Sequence, residues 1–451
     1  MWASPRHILL KIHSNGCIRG RAAPGSANAA VVTDQALRIP LAVWFVRTQS
    51  PGHRFFILFF PTKFSYLKKQ SKREIQIGSH FLKQIAFPLI FLFTLIQFHC
   101  RAFGKDPYGV HLDRIKTSPQ FDREREQFVN RRPDVLEKMR ENQSYFSLVF
   151  KFLFGGDKNR RPDLRLPEEK PDFAEFLKPD ESIKFIWFGH STFLVNIEGQ
   201  ILFFDPVFSG SAAPFSFMVK RFQDAVVKLE ELPPIDYIII SHDHYDHLDM
   251  PTIEFFKSKN TKFITPLGVT SHLKEWGITE DRLTELDWWE NLNVGKIKIV
   301  CTPAQHFSGR SGMNGNHTLW SSWTVIGEKE RFYFSGDSGY DVHFKNIGEK
   351  FGPFDLTFIE NGQYNPMWEA VHVLPEQTAK AHLDLKGKRL VPVHWAMFDL
   401  ALHSWYEPAE SLEKEAKKHQ IDLLTPKFGQ LVKLREPNAW ERWWKQFIGN
   451  E

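Results

Sequence analysis

The chain has 451 residues, 42% hydrophobic and 25% charged, a balance that excludes a disordered or collagen-like polypeptide and leaves room for one large catalytic domain with extensions. Three cysteines, Cys17, Cys100 and Cys301, share no spacing pattern and exclude a disulfide framework. The net charge of +5 hides an asymmetry: residues 1–100 carry 13 Lys and Arg against 2 Asp and Glu, so the remainder is net acidic, which excludes nucleic acid as a partner of the bulk of the chain.

Residues 1–62 mix Gly, Ala, Pro and Ser without periodicity around two apolar patches, Leu41–Val46 and Phe55–Phe60. The basic stretch Lys68-Lys69-Gln70-Ser71-Lys72-Arg73 then precedes the apolar run Ile85–Ile96. A basic region before about twelve apolar residues reads as a secretory signal or short anchor, because a spanning helix needs roughly twenty. The expectation is an exported chain tethered to a membrane in a bacterial envelope through residues 1–100. Cys100 follows the run where a lipidated cysteine would, although Gln97-Phe98-His99 lack the small side chains that such a cleavage site favours. Residues 101–180 read as a charged arm, helical in character over Asp113–Asn142, and a Pro-rich linker over Arg160–Pro179.

From Ile183 to Phe208 strand-like runs alternate with turns at Glu198-Gly199 and Asp205-Pro206. Between two of them lies Gly189-His190-Ser191-Thr192, where His190 suits a hydrogen-bonded supporting role. The following loop combines Phe215, Phe217 and Met218 with the basic pair Lys220 and Arg221, as an interfacial insertion loop would. A loop packed over its own core accounts for that composition equally well. The 42 Phe and 14 Trp of the chain imply a large apolar contact surface, part of it available to lipid.

The buried-strand pattern Tyr237-Ile238-Ile239-Ile240 ends in Ser241-His242-Asp243-His244-Tyr245-Asp246-His247. On an extended segment His242 and His244 project to one side and can share an ion, while Asp246 and His247 turn toward a second position. Imidazole and carboxylate without cysteine suit Zn²⁺ first, and Fe, Mn or Ni less well. One loop cannot complete two coordination shells. Three further candidates follow apolar or strand-like runs: His306 after Thr302-Pro303-Ala304-Gln305, Asp337 in Ser335-Gly336-Asp337-Ser338-Gly339, and His394 after Leu390-Val391-Pro392-Val393. Short helices are predicted over Pro251–Lys259 and Val269–Trp276, and strands over Lys296–Val300 and Arg331–Phe334. Cys301 reads as a buried inert thiol, and Trp320, Trp323 and His403 as packing residues. Trp440, Trp443, Trp444 and Phe447 fall at helical spacing, so residues 436–451 are predicted as an amphipathic helix docked on the body. Repetition of strand, ligand loop and helix predicts two sheets packed face to face with helices outside, over residues 181–435.

The ligand order resembles the metallo-β-lactamase superfamily. Within it, Trp187-Phe188-Gly189-His190-Ser191-Thr192, Asp205-Pro206-Val207-Phe208-Ser209, Pro303-Ala304-Gln305-His306, Gly336-Asp337-Ser338-Gly339-Tyr340, Phe351-Gly352-Pro353-Phe354-Asp355 and His394-Trp395 are similar to the family of N-acylphosphatidylethanolamine-hydrolysing phospholipase D, over about Ile183–Pro408. The resemblance implies an α/β fold, the four-layer αββα sandwich with two mixed β-sheets. It implies that His242, His244 and His306 hold one Zn²⁺, that Asp246, His247 and His394 hold a second, and that Asp337 bridges them, with Fe or Mn as alternative metals. A hydroxide between two such ions about 3.5–4 Å apart is a nucleophile at neutral pH. The implied reaction is its in-line attack on a phosphodiester, releasing N-acylethanolamine and leaving phosphatidic acid.

The resemblance further assigns catalytic roles to Asp246 and His372, the latter in a segment similar to the family's pocket lining, where Val371 stands in place of an expected glutamine. Phospholipid and membrane surface are the implied partners, contacted by Phe215, Phe217, Met218, Lys220, Arg221 and His372. The alternative is a metal-dependent lactonase or small-ester hydrolase, because the same hydroxide attacks carbonyls. A wide apolar groove beside the metals favours lipid, and a small polar pocket favours a lactone. The complete ligand set argues against a non-catalytic binding protein.

Overall fold

The computed structural model describes residues 41–46, 56–61, 101–141, 155–311, 315–437 and 441–448, and it divides at residue 86 into two units. In the first unit the two apolar patches pair as antiparallel strands, Leu41–Val46 with Phe56–Pro61. The basic-then-apolar segment 68–100, together with Cys17, Cys100 and Trp440, lies outside the described residues. No described helix is long and apolar enough to cross a membrane.

The second unit is built on two seven-stranded mixed sheets. The first contains β1 (Lys184–Trp187), β2 (Phe193–Ile197), β3 (Gln200–Phe204), β4 (Tyr237–Ile239), β5 (Lys262–Pro266) and β6 (Leu283–Leu286), side by side in that order. The second contains β7 (Asn291–Val294), β8 (Ile297–Thr302), β9 (Ser322–Ile326), β10 (Arg331–Phe334), β11 (Leu356–Glu360), β12 (Arg389–Val393) and β13 (Asp422–Leu423), again in sequence order. The last strand, β14 (Leu431–Lys433), returns to the first sheet beside β1.

In each sheet one half is antiparallel and the other parallel: β3 to β6 run parallel, as do β10 to β13. Parallel neighbours need crossovers, and these supply the outer helices. They are α1 (Met250–Phe255), α2 (Thr270–Glu275), α3 (His343–Phe351), α4 (Pro375–Asp384) and α5 (Glu407–His419). The predicted helix over 251–259 is therefore shorter, ending in a 3₁₀ turn over Phe256–Ser258.

Period-two alternation sorts the side chains. On β1 Phe185 and Trp187 face the inter-sheet core, while Ile186 packs outward with Leu194, Ile238, Phe263 and the helix residues Ile253 and Leu273. Between the sheets Phe193 stacks on Phe358 at 4.1 Å and on Phe204 at 4.8 Å, and meets Phe334 edge-on at 5.1 Å. Each such ring contributes about 1.5–3 kcal/mol by burial, with about 0.5–1.5 kcal/mol more per aromatic pair. The described phenylalanines thus fill the sandwich and its flanks, and among them only Phe217 is exposed. Cys301 lies in the same core, and burial pushes its thiol well above the usual range.

Three expectations need correction. The arm is not one helix: Val110–Ile115 and Val135–Glu141 are separated by a small strand pair, Phe121–Asp122 with Gln127–Phe128, because Pro119 and Pro133 interrupt helical hydrogen bonding. The Pro-rich stretch is not a free spacer, since Leu166 and Phe176 are buried and Glu168 bridges to Phe428. At the C-terminus Trp443–Phe447 is a 3₁₀ turn rather than an amphipathic α-helix. Its two adjacent indoles grip one ring, Trp443 stacked on Trp395 at 5.3 Å and Trp444 edge-on at 6.0 Å, which an α-helical stripe of period three to four would not bring together.

Candidate metal centre

The candidate ligands converge from strand ends of both sheets. β4 runs into the loop carrying His242, His244, Asp246 and His247; His306 follows β8, Asp337 follows β10, and His394 directly follows β12. Two glycines make the convergence possible. A Cβ on Gly336 would stand 2.6 Å from the Ser321 carbonyl oxygen, and one on Gly362 would stand 1.6 Å from that of His394. His190 and His394 hold left-handed backbone, with φ of 52° and 68°, and their peptides pair: the His394 N–H donates to the His190 carbonyl at 2.9 Å. Strained non-glycine backbone of this kind is typical of functional sites.

The structure brings all seven predicted ligands together in two adjoining clusters. His242, His244, His306 and Asp337 form one, with His244 Nδ1 2.9 Å from His242 Nε2 and 3.2 Å from His306 Nε2. Asp246, His247 and His394 form the other, joined by His190, whose Nε2 lies 2.9 Å from Asp246 Oδ2. Asp337 stands between them: its Oδ2 is 3.1 Å from His247 Nε2 and 3.8 Å from both His242 Nε2 and His306 Nε2, while Oδ1 is 3.2 Å from His394 Nδ1. His247 Nε2 and Asp337 Oδ1 are buried without a hydrogen-bond partner among the described residues. Their nearest polar neighbours, Asp337 Oδ2 and His394 Nδ1, stand at ion-pair distance without hydrogen-bond geometry, and cations are partners that this donor set fits.

Charge follows from burial. Burial holds His242, His306 and His394 well below the ordinary imidazole range, and brings His190 and His244 to about 4. Asp337 is pushed up by burial to about 7. Burial opposes charge on His247, yet Asp337, Asp246 and Asp205 around it carry its pKa well above the usual value. Against burial, His247 and His190 hold the Asp246 carboxyl well down. Most of the imidazoles are thus neutral near pH 7, the state in which they coordinate a cation.

Around the ligands runs a set of supports that spacing did not reveal. Asp205 Oδ2 lies 2.7 Å from His247 Nδ1, and the carboxylate also accepts from the Ser241 N–H and hydroxyl. His306 is fixed twice, by its Nδ1 3.0 Å from the Val371 carbonyl and by its backbone, which exchanges two hydrogen bonds with the Asn130 side chain of the arm at 2.8 and 3.0 Å. Asp243 anchors the metal loop from below, accepting from Thr318 Oγ1 and the Gly309 N–H and lying 3.2 Å from His272 Nε2. Asp205, with φ of 36° in its Asp-Pro turn, was legible as a turn and not as a support.

Above Asp337 and His394 opens a cleft of about 320 Å³. Met139, Phe307, Trp368, Val371 and Leu400 wall it, with His244, Asp246, His372 and Gln363 at its base. His372 therefore reaches the cleft, and the departure residue Val371 lines it with an apolar side chain. Elsewhere, Phe217 and Met218 are 73% and 43% exposed, Phe215 stacks on Phe217 at 5.7 Å, and Lys220 is exposed. Arg221 departs from the expectation: at 9% exposure its guanidinium donates to the Val207 carbonyl and lies 5.5 Å over the Phe398 ring, so it secures the loop instead of facing outward.

A sequence profile described as the β-lactamase superfamily domain matches residues 201–395. An uncharacterized protein of Mycobacterium bovis is 43% identical over 264 residues, covering 57% of this chain and 71% of that one. N-acyl-phosphatidylethanolamine-hydrolyzing phospholipase D 1 of Caenorhabditis elegans is 40% identical over 256 residues, 54% of this chain and 72% of the relative. Outer membrane protein RomA of Klebsiella pneumoniae is 49% identical over 99 residues, 22% of this chain and 74% of that protein. With its two mixed sheets, its clustered candidate ligands and these relatives, the chain belongs to the metallo-β-lactamase superfamily as a metal-dependent hydrolase related to N-acyl-phosphatidylethanolamine-hydrolysing phospholipase D.

Proposed function

We propose that the chain is a two-metal phosphodiesterase that hydrolyses N-acylphosphatidylethanolamine-like phospholipids at a lipid surface, releasing N-acylethanolamine and leaving phosphatidic acid. The observation that carries this reading is the apolar cleft opening directly on Asp337 and His394, which suits an acyl-bearing substrate better than a small polar lactone. The C. elegans relative adds the same chemistry by name. His242, His244 and His306 would hold one cation, Asp246, His247 and His394 the other, with Asp337 shared and Zn²⁺ the metal best suited to the donors. Bound there, the two cations supply an activated water and offset charge on the phosphoryl oxygens.

The chain's own residues do the rest. Asp246 and His190 hold one another at the base of the cleft, Asp205 and the Val371 carbonyl aim His247 and His306, and the apolar wall excludes water from the reacting phosphoryl group. The exposed Phe217-Met218 tip, with Lys220 beside it, would dip into the interface and bring the lipid to the cleft. The relative named as an outer membrane protein supports an envelope location, reached through the basic-then-apolar segment 68–100. The test is a substrate panel: zinc-loaded chain is incubated with vesicles of N-acylphosphatidylethanolamine, with a soluble phosphodiester and with a lactone. Mass spectrometry should find N-acylethanolamine and phosphatidic acid. Turnover of the lactone alone would replace this reading with the lactonase.

A further inference from the structure

Glu360 closes β11 with its carboxyl buried behind His372, which lines the metal cleft, and neither the ligand motif nor the proposed reaction uses it. Its backbone lies beside Val393, the residue before His394, through the parallel pairing of β11 with β12. One carboxyl oxygen, Oε1, accepts from the N–H of Ser338, which follows Asp337 in sequence. The other, Oε2, lies 2.7 Å from His372 Nδ1. The Glu360 backbone is itself held, its N–H donating to Ser335 Oγ at 2.9 Å and its carbonyl accepting from Thr378 Oγ1 at 3.0 Å. A carboxyl fixed on this scale cannot follow a mobile ring, so the ring follows the carboxyl.

His372 has the complementary placement. Its ring stacks on His394 at 5.4 Å, meets His306 edge-on at 5.0 Å and lines the cleft beside Asp337. Since Nδ1 is engaged by Glu360, Nε2 is the nitrogen left for a substrate. We propose that Glu360 is a positioning residue: it fixes the His372 ring and its tautomer so that Nε2 faces the phosphoryl group or leaving group in the cleft. This rests on the hydrolase site described above, and its phosphodiester form rests on the phospholipase reading. The competing role is ligation, because one atom each of Asp337, Glu360, His372 and His394 lie within 4.8 Å of one another.

The zinc-loaded full chain, labelled with ¹⁵N-histidine, separates these roles. The His372 ring resonances, assigned by their disappearance in His372→Ala, should show a protonated Nδ1, and Glu360→Gln should shift them while leaving both zinc ions bound. With bis(4-nitrophenyl) phosphate, Glu360→Gln should lower kcat about 10–100-fold, and the double variant should be no slower than His372→Ala alone. Glu360→Asp, which keeps the carboxyl but withdraws it by one methylene, should fall between wild type and Gln, and it serves as the second variant if Gln impairs folding. Loss of a zinc ion in Glu360→Gln, an unmoved His372 spectrum, or multiplicative losses in the double variant would each overturn the proposal. If the wild type cleaves only a lactone, the phospholipase reading fails, and the same spectra and the same cycle run on the lactone still decide the role of Glu360.

Discussion

Asp205 and His247 form a completely buried pair, with Asp205 Oδ2 2.7 Å from His247 Nδ1 and neither side chain reached by solvent. The carboxylate turns the ring so that its Nε2, which makes no hydrogen bond among the described residues, lies 3.1 Å from Asp337 Oδ2. Truncation to Asp205→Ala should free the ring and lower the affinity of the site built on Asp246, His247 and His394 by about 10–100-fold. Chelator competition should show one weakened ion and one unchanged.

Asp337 stands within reach of both clusters, so under the proposed two-metal reading its loss should act on both ions. Asp337→Ala should reduce turnover by orders of magnitude and release at least one ion, as read by elemental analysis of the purified variant. Full activity with one ion or none in the wild-type chain would remove the two-metal mechanism.

Under the proposed two-metal reading, protons and cations compete for the same groups. Without metal, burial pushes Asp337 up to about 7 and its acidic neighbours carry His247 well above the usual value, whereas His190 and His244 sit near 4 and are already neutral. A cation must displace the protons held on Asp337 and His247, so binding releases protons and apparent affinity rises with pH through about 7. For the metal-free fold the sign is opposite. A carboxyl whose folded pKa is raised binds its proton more tightly folded than unfolded, so its contribution is present below the unfolded pKa near 4 and is lost as pH rises through about 7. Chelator titrations and melting curves at pH 6 and pH 8 check both: the loaded chain should hold metal better at pH 8, and Asp337→Asn should flatten the metal-free trend.

Asn130 ties the arm to the metal centre through two hydrogen bonds to the His306 backbone and a third from Trp320 Nε1. Asn130→Ala leaves a buried peptide N–H and carbonyl unpaired, at about 1–3 kcal/mol. Thermal melting should fall accordingly, and the site containing His306 should lose metal before the site containing His247.

Phe217 is the most exposed phenylalanine of the described residues and is stacked on Phe215. Replacing both by Ser should weaken turnover of vesicle-bound lipid by about tenfold or more while changing a soluble phosphodiester little, because only the first needs interfacial docking. Equal losses on both substrates would identify a loop that serves only to pack.

The sequence alone determined the candidate ligand set and the strand ends that carry it. H-x-H-x-D-H after an apolar run, and a His, an Asp and a His after later runs, are local patterns, and the repeated order of strand, ligand loop and helix carries the two-sheet architecture with them, as the exact strand Arg331–Phe334 illustrates. What only the tertiary structure decided are contacts between distant segments. Asp205 reads as a turn residue until the parallel pairing of β3 and β4 sets it beside Ser241 and His247, and nothing in the spacing singles out Glu360 until β11 lies next to β12. Asn130 belongs to a stretch that looks like a charged helix until two prolines break it and its amide reaches His306. Nearest-neighbour spacing encodes which residues can bind a metal; which groups orient those residues depends on how far-apart strands are brought together, and no local pattern carries that.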